Sequence, residues 1–169
     1  MATWSGLRTK VEKLFAPAVR GRTKLKVVRY RRAHDAEGRW ALELDGIETG
    51  GIGDIPAHLA ERTEIERLQR DRDESPGAVQ PEARRRLRAE GKHSLEEFYA
   101  SLESYIGLSI QDARASEDVL IRALAILDRR FGKRRLTELA SSPPKQPLEL
   151  ACLRFRLEAE SLHHASRSK

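Results

Sequence analysis

From Arg39 to Leu44 polar and apolar residues alternate, with Trp40, Leu42 and Leu44 on one side and Arg39, Ala41 and Glu43 on the other. Only an extended strand places every second residue on one face, so this stretch predicts a half-buried β-strand. Asp45-Gly46 follows at once, and this dipeptide suits the two-residue hairpin turn, whose central positions need positive φ. Residues 47–49 then read as a short third strand, closed by Gly50, Gly51 and Gly53. Upstream, residues 24–32 (KLKVVRYRR) are β-branched and aromatic at their centre and read as the first strand, with AHDAEG as the connecting loop. Three short strands do not stand alone in water, so the apolar face needs a cover.

The nearest cover is the N-terminal segment. Trp4, Leu7, Val11, Leu14 and Phe15 recur at steps of three and four, which is one face of a helix. Ser5 is the expected N-cap and Pro17 the expected stop. The C-terminal part is helical by the same pattern. Ser94-Leu95-Glu96-Glu97 is a capping box before a helix with Phe98, Leu102 and Tyr105 on its buried face, stopped at Gly107. A second helix begins at Ser116 and carries Val119, Leu120, Ala123, Leu124, Ile126 and Leu127, the most apolar run in the chain. Arg129 and Arg130 are expected in its last turn and Gly132 as its left-handed C′ residue. Residues 133–140 form a short helix, and Pro147 opens the last one. Residues 57–70 have weak apolar anchors. Pro81 and Gly91 bracket a short helix bearing Arg84, Arg85, Arg86 and Arg88, a solvated linker or a phosphate clamp.

Charge is arranged in blocks. The net charge of +6 conceals +8 over residues 1–35 and +5 over 119–136, set against −4 over 36–60 and −5 over 93–118. Basic blocks point to a polyanionic or acidic partner, unless the acidic blocks neutralise them across the fold. No apolar run approaches the ~20 residues of a membrane span. The first residues lack the apolar core of a secretory signal, so the expected compartment is the cytoplasm.

Few residues carry an obvious chemistry. The histidines are His34, His58, His93, His163 and His164, and none stands at metal-ligand spacing from another. The single cysteine, Cys152, excludes a disulfide framework and a multi-cysteine zinc site, and it reads as a buried thiol. No phosphate-binding loop is present, since Gly50-Gly51-Ile52-Gly53 lacks a lysine and a strong helix start. His34-Asp35, beside Tyr30, Arg31 and Arg32, is a loop cluster with acid–base potential but no second catalytic group. Residues 127–136 (LDRRFGKRRL) place five basic residues around a helix–Gly–helix corner. That is either an anion site or a set of dipole-compensating charges with an Asp128–Arg bridge.

Several of these stretches resemble an uncharacterised family of small bacterial cytoplasmic proteins. The likeness runs through TWSGLRTKVEKLFAP, Gly21-Arg22, YRRAHD, the Trp40 strand and its DG turn, and resumes at ILDRRFGKRRL; about 90 residues lie in or beside it. Residues 54–92 depart from it: relatives carry a more aromatic, strand-like stretch there, whereas this chain has no aromatic between Trp40 and Phe98. The resemblance implies a shared fold module and no established activity, cofactor or catalytic residue.

Together these readings predict an α+β fold: an N-terminal helix on a three-stranded antiparallel meander, followed by a C-terminal helical bundle. Residues 1–56 are expected as helix plus meander, 57–92 as a polar, partly helical or mobile linker, and 93–169 as a bundle packed on the first unit. The expected function is a non-enzymatic interaction protein with no catalytic residue, cofactor or metal. Its candidate contacts are Arg29, Arg31, Arg32 and His34 on the first strand and loop, and Arg129, Arg130, Lys133 and Arg134 at the helix corner. The expected partner is acidic, a protein or a nucleic acid, with an immunity- or antitoxin-like role or nucleic-acid binding as alternatives, and no membrane.

Overall fold

The structure, a computed structural model, describes residues 3–30 and 37–167, with side chains described through Ser161. Helix α1 (Trp4–Leu14) leads into strands β1 (Thr23–Arg29), β2 (Gly38–Leu44) and β3 (Ile47–Gly53). Then come α2 (Asp54–Arg72), α3 (Pro76–Ala89), α4 (Leu95–Gly107), α5 (Ile110–Ala115), α6 (Val119–Leu127), α7 (Lys133–Ser141) and α8 (Pro147–Arg167). The strands pair antiparallel in the order β1-β2-β3, so the expected α+β arrangement is present. Asp45 and Gly46 have φ of 51° and 79°, the two left-handed positions that a tight hairpin turn requires.

The sheet has a dry face and a wet one. Leu25, Trp40, Leu42 and Leu44 point inward and are buried. They join α1 (Leu7, Val11), α4 (Phe98, Leu102, Tyr105), α6 and α8 in one continuous core. Trp40 stacks on Phe98 with ring centroids 4.8 Å apart and donates its indole N–H to the His93 carbonyl at 2.9 Å. At ~25 cal/mol per Å² of apolar area, an indole of this size is among the largest single contributors to such a core. Helix α6 is buried on nearly every side, which explains its unbroken apolar sequence.

Residues 54–89, expected from 57 on as a polar, partly helical or mobile linker, form a helical hairpin. Helix α2 begins at Asp54, inside what the sequence assigned to the first unit, and α3 begins at Pro76 rather than near Pro81, which lies within it. Leu68, Val79 and Ala83, with Ile65, make a small separate core. Arg84 meets Glu61 at 2.7 Å, and Arg86 meets Glu64 at 3.2 Å and Glu82 at 2.5 Å. Arg84 and Arg86 are thus spent on the hairpin itself, whereas Arg85 reaches Glu117 outside it at 3.3 Å. Asp54 ties the hairpin to the main core by accepting the backbone N–H groups of Gly38 and Leu95 at 2.8 and 2.7 Å.

Several expected helix ends move. Thr3, not Ser5, caps α1, and Asp118, not Ser116, caps α6. Helix α6 stops at Leu127, so Arg129 and Arg130 lie beyond its last turn; Gly132 has φ −72° and stands at the N-cap of α7 instead of in a left-handed C′ position. Helix α4 does end at Gly107, as expected, while Gly50, Gly51 and Gly53 belong to β3.

One glycine is required by space as well as by conformation. Gly51 has φ +151°, and a Cβ there would lie 2.9 Å from the Ala41 Cα. Gly51→Ala is expected to lower stability by more than about 1 kcal/mol, whereas Gly77→Ala, in a helix with nothing near the new methyl, should raise it by up to about 1 kcal/mol. Urea unfolding of both variants checks this; equal effects would contradict the sheet geometry around Gly51.

Candidate functional site

The helix corner is built around a buried carboxylate. Asp128 is fully buried, accepts the Tyr105 hydroxyl at 2.5 Å, and is forked by Arg130 at 2.7 to 3.1 Å. The Arg130 backbone N–H adds a further bond at 2.7 Å. The main chain on either side pairs with the end of α1, since Ala16 N–H donates to the Leu127 carbonyl and Arg129 N–H to the Leu14 carbonyl. Arg156 of α8, also buried, donates to the Ile126, Asp128 and Phe131 carbonyls. Around this node Lys133 meets Glu160 at 3.4 Å and Arg134 meets Glu138 at 3.0 Å. Three of the four cations proposed from sequence at this corner therefore already face carboxylates. Arg129 is exposed and has no ion pair among the described residues.

A second buried polar group joins α4 to α6. Asp118 receives His93 Nε2 at 2.9 Å on one oxygen and the Ser101 hydroxyl at 2.6 Å on the other. The first oxygen also accepts the N–H groups of Leu120 and Ile121, so this carboxylate is the N-cap of α6. Histidine, aspartate and serine meet here in an order unsuited to nucleophilic catalysis. The aspartate lies in the middle, and the serine gives its proton to the aspartate rather than to the imidazole. Burial raises the Asp118 pKa, but hydrogen bonds from His93, Ser101 and the backbone outweigh it and hold the carboxyl below its usual range. A carboxylate so stabilised is a poor base. Cys152 is equally inert, because burial, with Glu149 nearby, pushes its thiol up to about 12. Among the described residues no group of three or more His, Cys, Asp or Glu side chains is placed to hold a metal, and no helix is long and apolar enough to cross a membrane.

The remaining candidate is the outer side of β1. Of the first-strand and loop residues proposed from sequence, Arg31, Arg32 and His34 lie outside the described residues. Arg29 is exposed, with its guanidinium 5.9 Å from the centre of the Tyr99 ring. The structure gathers a different basic set. A groove of about 290 Å³ runs between α1 and β1, lined by Arg8, Arg20, Lys24 and Lys26 with Glu12 as its single carboxylate. The fold produces this set directly. Strand parity turns Lys24 and Lys26 outward while Leu25 turns into the core, and α1 lays Arg8 and Glu12 along the same side. Arg20 is partly committed, donating to the Lys13 and Phe15 carbonyls at the end of α1. Lys26 reaches Glu43 at 2.5 Å, and Lys24 has no ion pair among the described residues. Val28 and Tyr30 continue the row, each 49 % exposed. The alternation of KLKVVRY carried the signal for this face; reading the basic residues as a contiguous block obscured it.

A family model described as the SF0329 protein family matches residues 3–157. No curated protein and no solved structure matches the chain.

Proposed function

The chain belongs to the SF0329 protein family, and we propose that it acts as a small, non-enzymatic interaction protein of the bacterial cytoplasm whose basic α1–β1 groove contacts an acidic protein partner. The observation that carries this reading is the groove itself, whose four cations face Glu12 and, from β2, Glu43, and leave Lys24 without an ion pair among the described residues, beside two large exposed apolar side chains. Clustered like charge over an open groove raises the local concentration of an oppositely charged partner and speeds its encounter. Tyr30 and Val28 supply the apolar area that protein interfaces use for affinity. Protein is favoured over nucleic acid because the arginine corner, the more phosphate-like site, is occupied by Asp128, Glu160 and Glu138. An immunity- or antitoxin-like role is one form of the same reading, a tight complex with a single acidic protein.

The test compares labelled polyglutamate with labelled single- and double-stranded nucleic acid at about 50 and 200 mM salt, the range over which phosphate contacts weaken visibly. Polyglutamate is expected to bind the native protein and to lose at least tenfold in affinity with Arg8→Ala/Lys24→Ala. Arg129→Ala/Arg134→Ala should leave it unchanged. Salt-sensitive nucleic-acid binding that the corner variant abolishes would overturn the proposal.

A further inference from the structure

Strand β1 is an edge of the sheet, and its hydrogen-bonding parity can be read from the two ends of its ladder. Tyr30 N–H donates to the Glu37 carbonyl at 2.9 Å, and Asp45 N–H to the Arg22 carbonyl at 2.8 Å. Hydrogen-bonded pairs alternate along an antiparallel ladder, and the β1–β2 register runs without a shift between these ends. The even-numbered residues Lys24, Lys26 and Val28 therefore spend their backbone groups on β2. Leu25, Val27 and Arg29 aim theirs the other way, where no backbone partner meets them among the described residues. The opposite edge, β3, lies against α2 and α8.

Two further observations fall on this edge. Residues 23–26 of this edge line the basic groove. Thr23, 3 % exposed and part of that lining, has a hydroxyl with no hydrogen-bond partner. A buried hydroxyl without a partner is costly.

We infer that the free edge of β1 takes an extended, acidic segment of a partner protein as an added strand, paired through the backbone of Leu25, Val27 and Arg29. This rests on the acidic-partner reading above and gives it a geometry. The added strand supplies the missing N–H and C=O partners. Its outward side chains lie beside Lys24 and Lys26, and carboxylates at those positions make the favourable cross-strand charge pairs. A second copy of this chain fits the edge poorly. Two β1 edges laid antiparallel would bring the lysine rows of both copies together, and like charges facing across strands are destabilising.

The experiment uses the unmodified, isotope-labelled protein and a peptide of about ten alternating glutamate and valine residues, long enough for an ordinary strand. Two further versions of the peptide are N-methylated at alternate residues, one version for each parity. The native peptide should slow amide hydrogen exchange at Leu25, Val27 and Arg29 by at least tenfold and leave Lys24, Lys26 and Val28 nearly unchanged. One methylated version should bind at least tenfold more weakly than the native peptide, and the other should match it. If the peptide binds but the three amides stay unprotected, or both methylated versions bind alike, the strand-addition inference fails while the acidic-partner reading stands. If no acidic probe binds, both fail. Protection of the same amides without peptide, with a dimer in sedimentation, would overturn the inference in favour of a second copy.

Discussion

Asp128→Ala is expected to destabilise this protein by about 2–4 kcal/mol, the cost of leaving several hydrogen-bond donors without their shared, buried acceptor. The reason lies in what is left behind. The substitution strips the Arg130 fork, the Tyr105 hydroxyl and the Arg130 backbone N–H of their shared acceptor at a position with no exposure. Burial alone already favours the protonated Tyr105 hydroxyl, so the variant is not relieved by its ionising. Tyr105→Phe removes one donor and leaves the Arg130 fork in place, so it should cost only about 1–2 kcal/mol. A double-mutant cycle on Tyr105 and Asp128 should show coupling, since the two are hydrogen-bonded to each other. Urea midpoints measure all of these. A loss below about 1 kcal/mol for Asp128→Ala would mean that solvent reaches the site and that the corner is not the junction of α1, α6 and α8.

That junction also shows where the sequence was informative. The alternation around Trp40 and the Asp45-Gly46 turn fixed the meander because both are local: one follows from strand geometry, the other from two positive φ angles. The capping box at Ser94 was legible for the same reason, its partners standing three residues apart. Asp128 beside Arg130 was visible as a pair. Its burial was not, because burial comes from Tyr105, Arg156 and the end of α1, all distant in sequence. Glu149, clasped by Arg114 and Arg122 at 3.0 and 3.1 Å, and Asp54 beneath α4 were hidden in the same way. The misplaced helix starts have a sharper cause. Ser116 and Asp118 both satisfy the N-cap preference, and only the buried His93 and Ser101 select Asp118. The candidate groove was half legible. The basic character of residues 1–35 was plain, but assigning cations to one face needed the strand parity and the position of α1.

Asp118 leads to the second large effect, one that depends on pH. Its folded-state pKa is lowered, the bonds from His93, Ser101 and the α6 backbone prevailing over the opposing cost of burial. In the unfolded chain an aspartate titrates near about 3.9. Between the folded and unfolded values the unfolded state binds more protons, so stability rises with pH through that window. The contribution is complete above the unfolded value and disappears as pH falls through the folded one. Asp118→Asn is expected to lose about 2–3 kcal/mol near pH 7, through a weaker cap and weakened bonds to His93 and Ser101. At acid pH the gap should narrow, because the native carboxyl is then protonated as well. Glu64, Glu82 and Glu160 also have lowered pKa values, chiefly through arginine partners, and Glu61 through Gln80 and Arg84; their acid limb is common to both proteins. Subtracting the variant's stability–pH curve from that of the native protein therefore isolates Asp118 together with its partner His93. A difference that stays constant from pH 7 down to about pH 2 would show that this carboxyl is not held ionised by its partners, and that α6 begins without a charged cap.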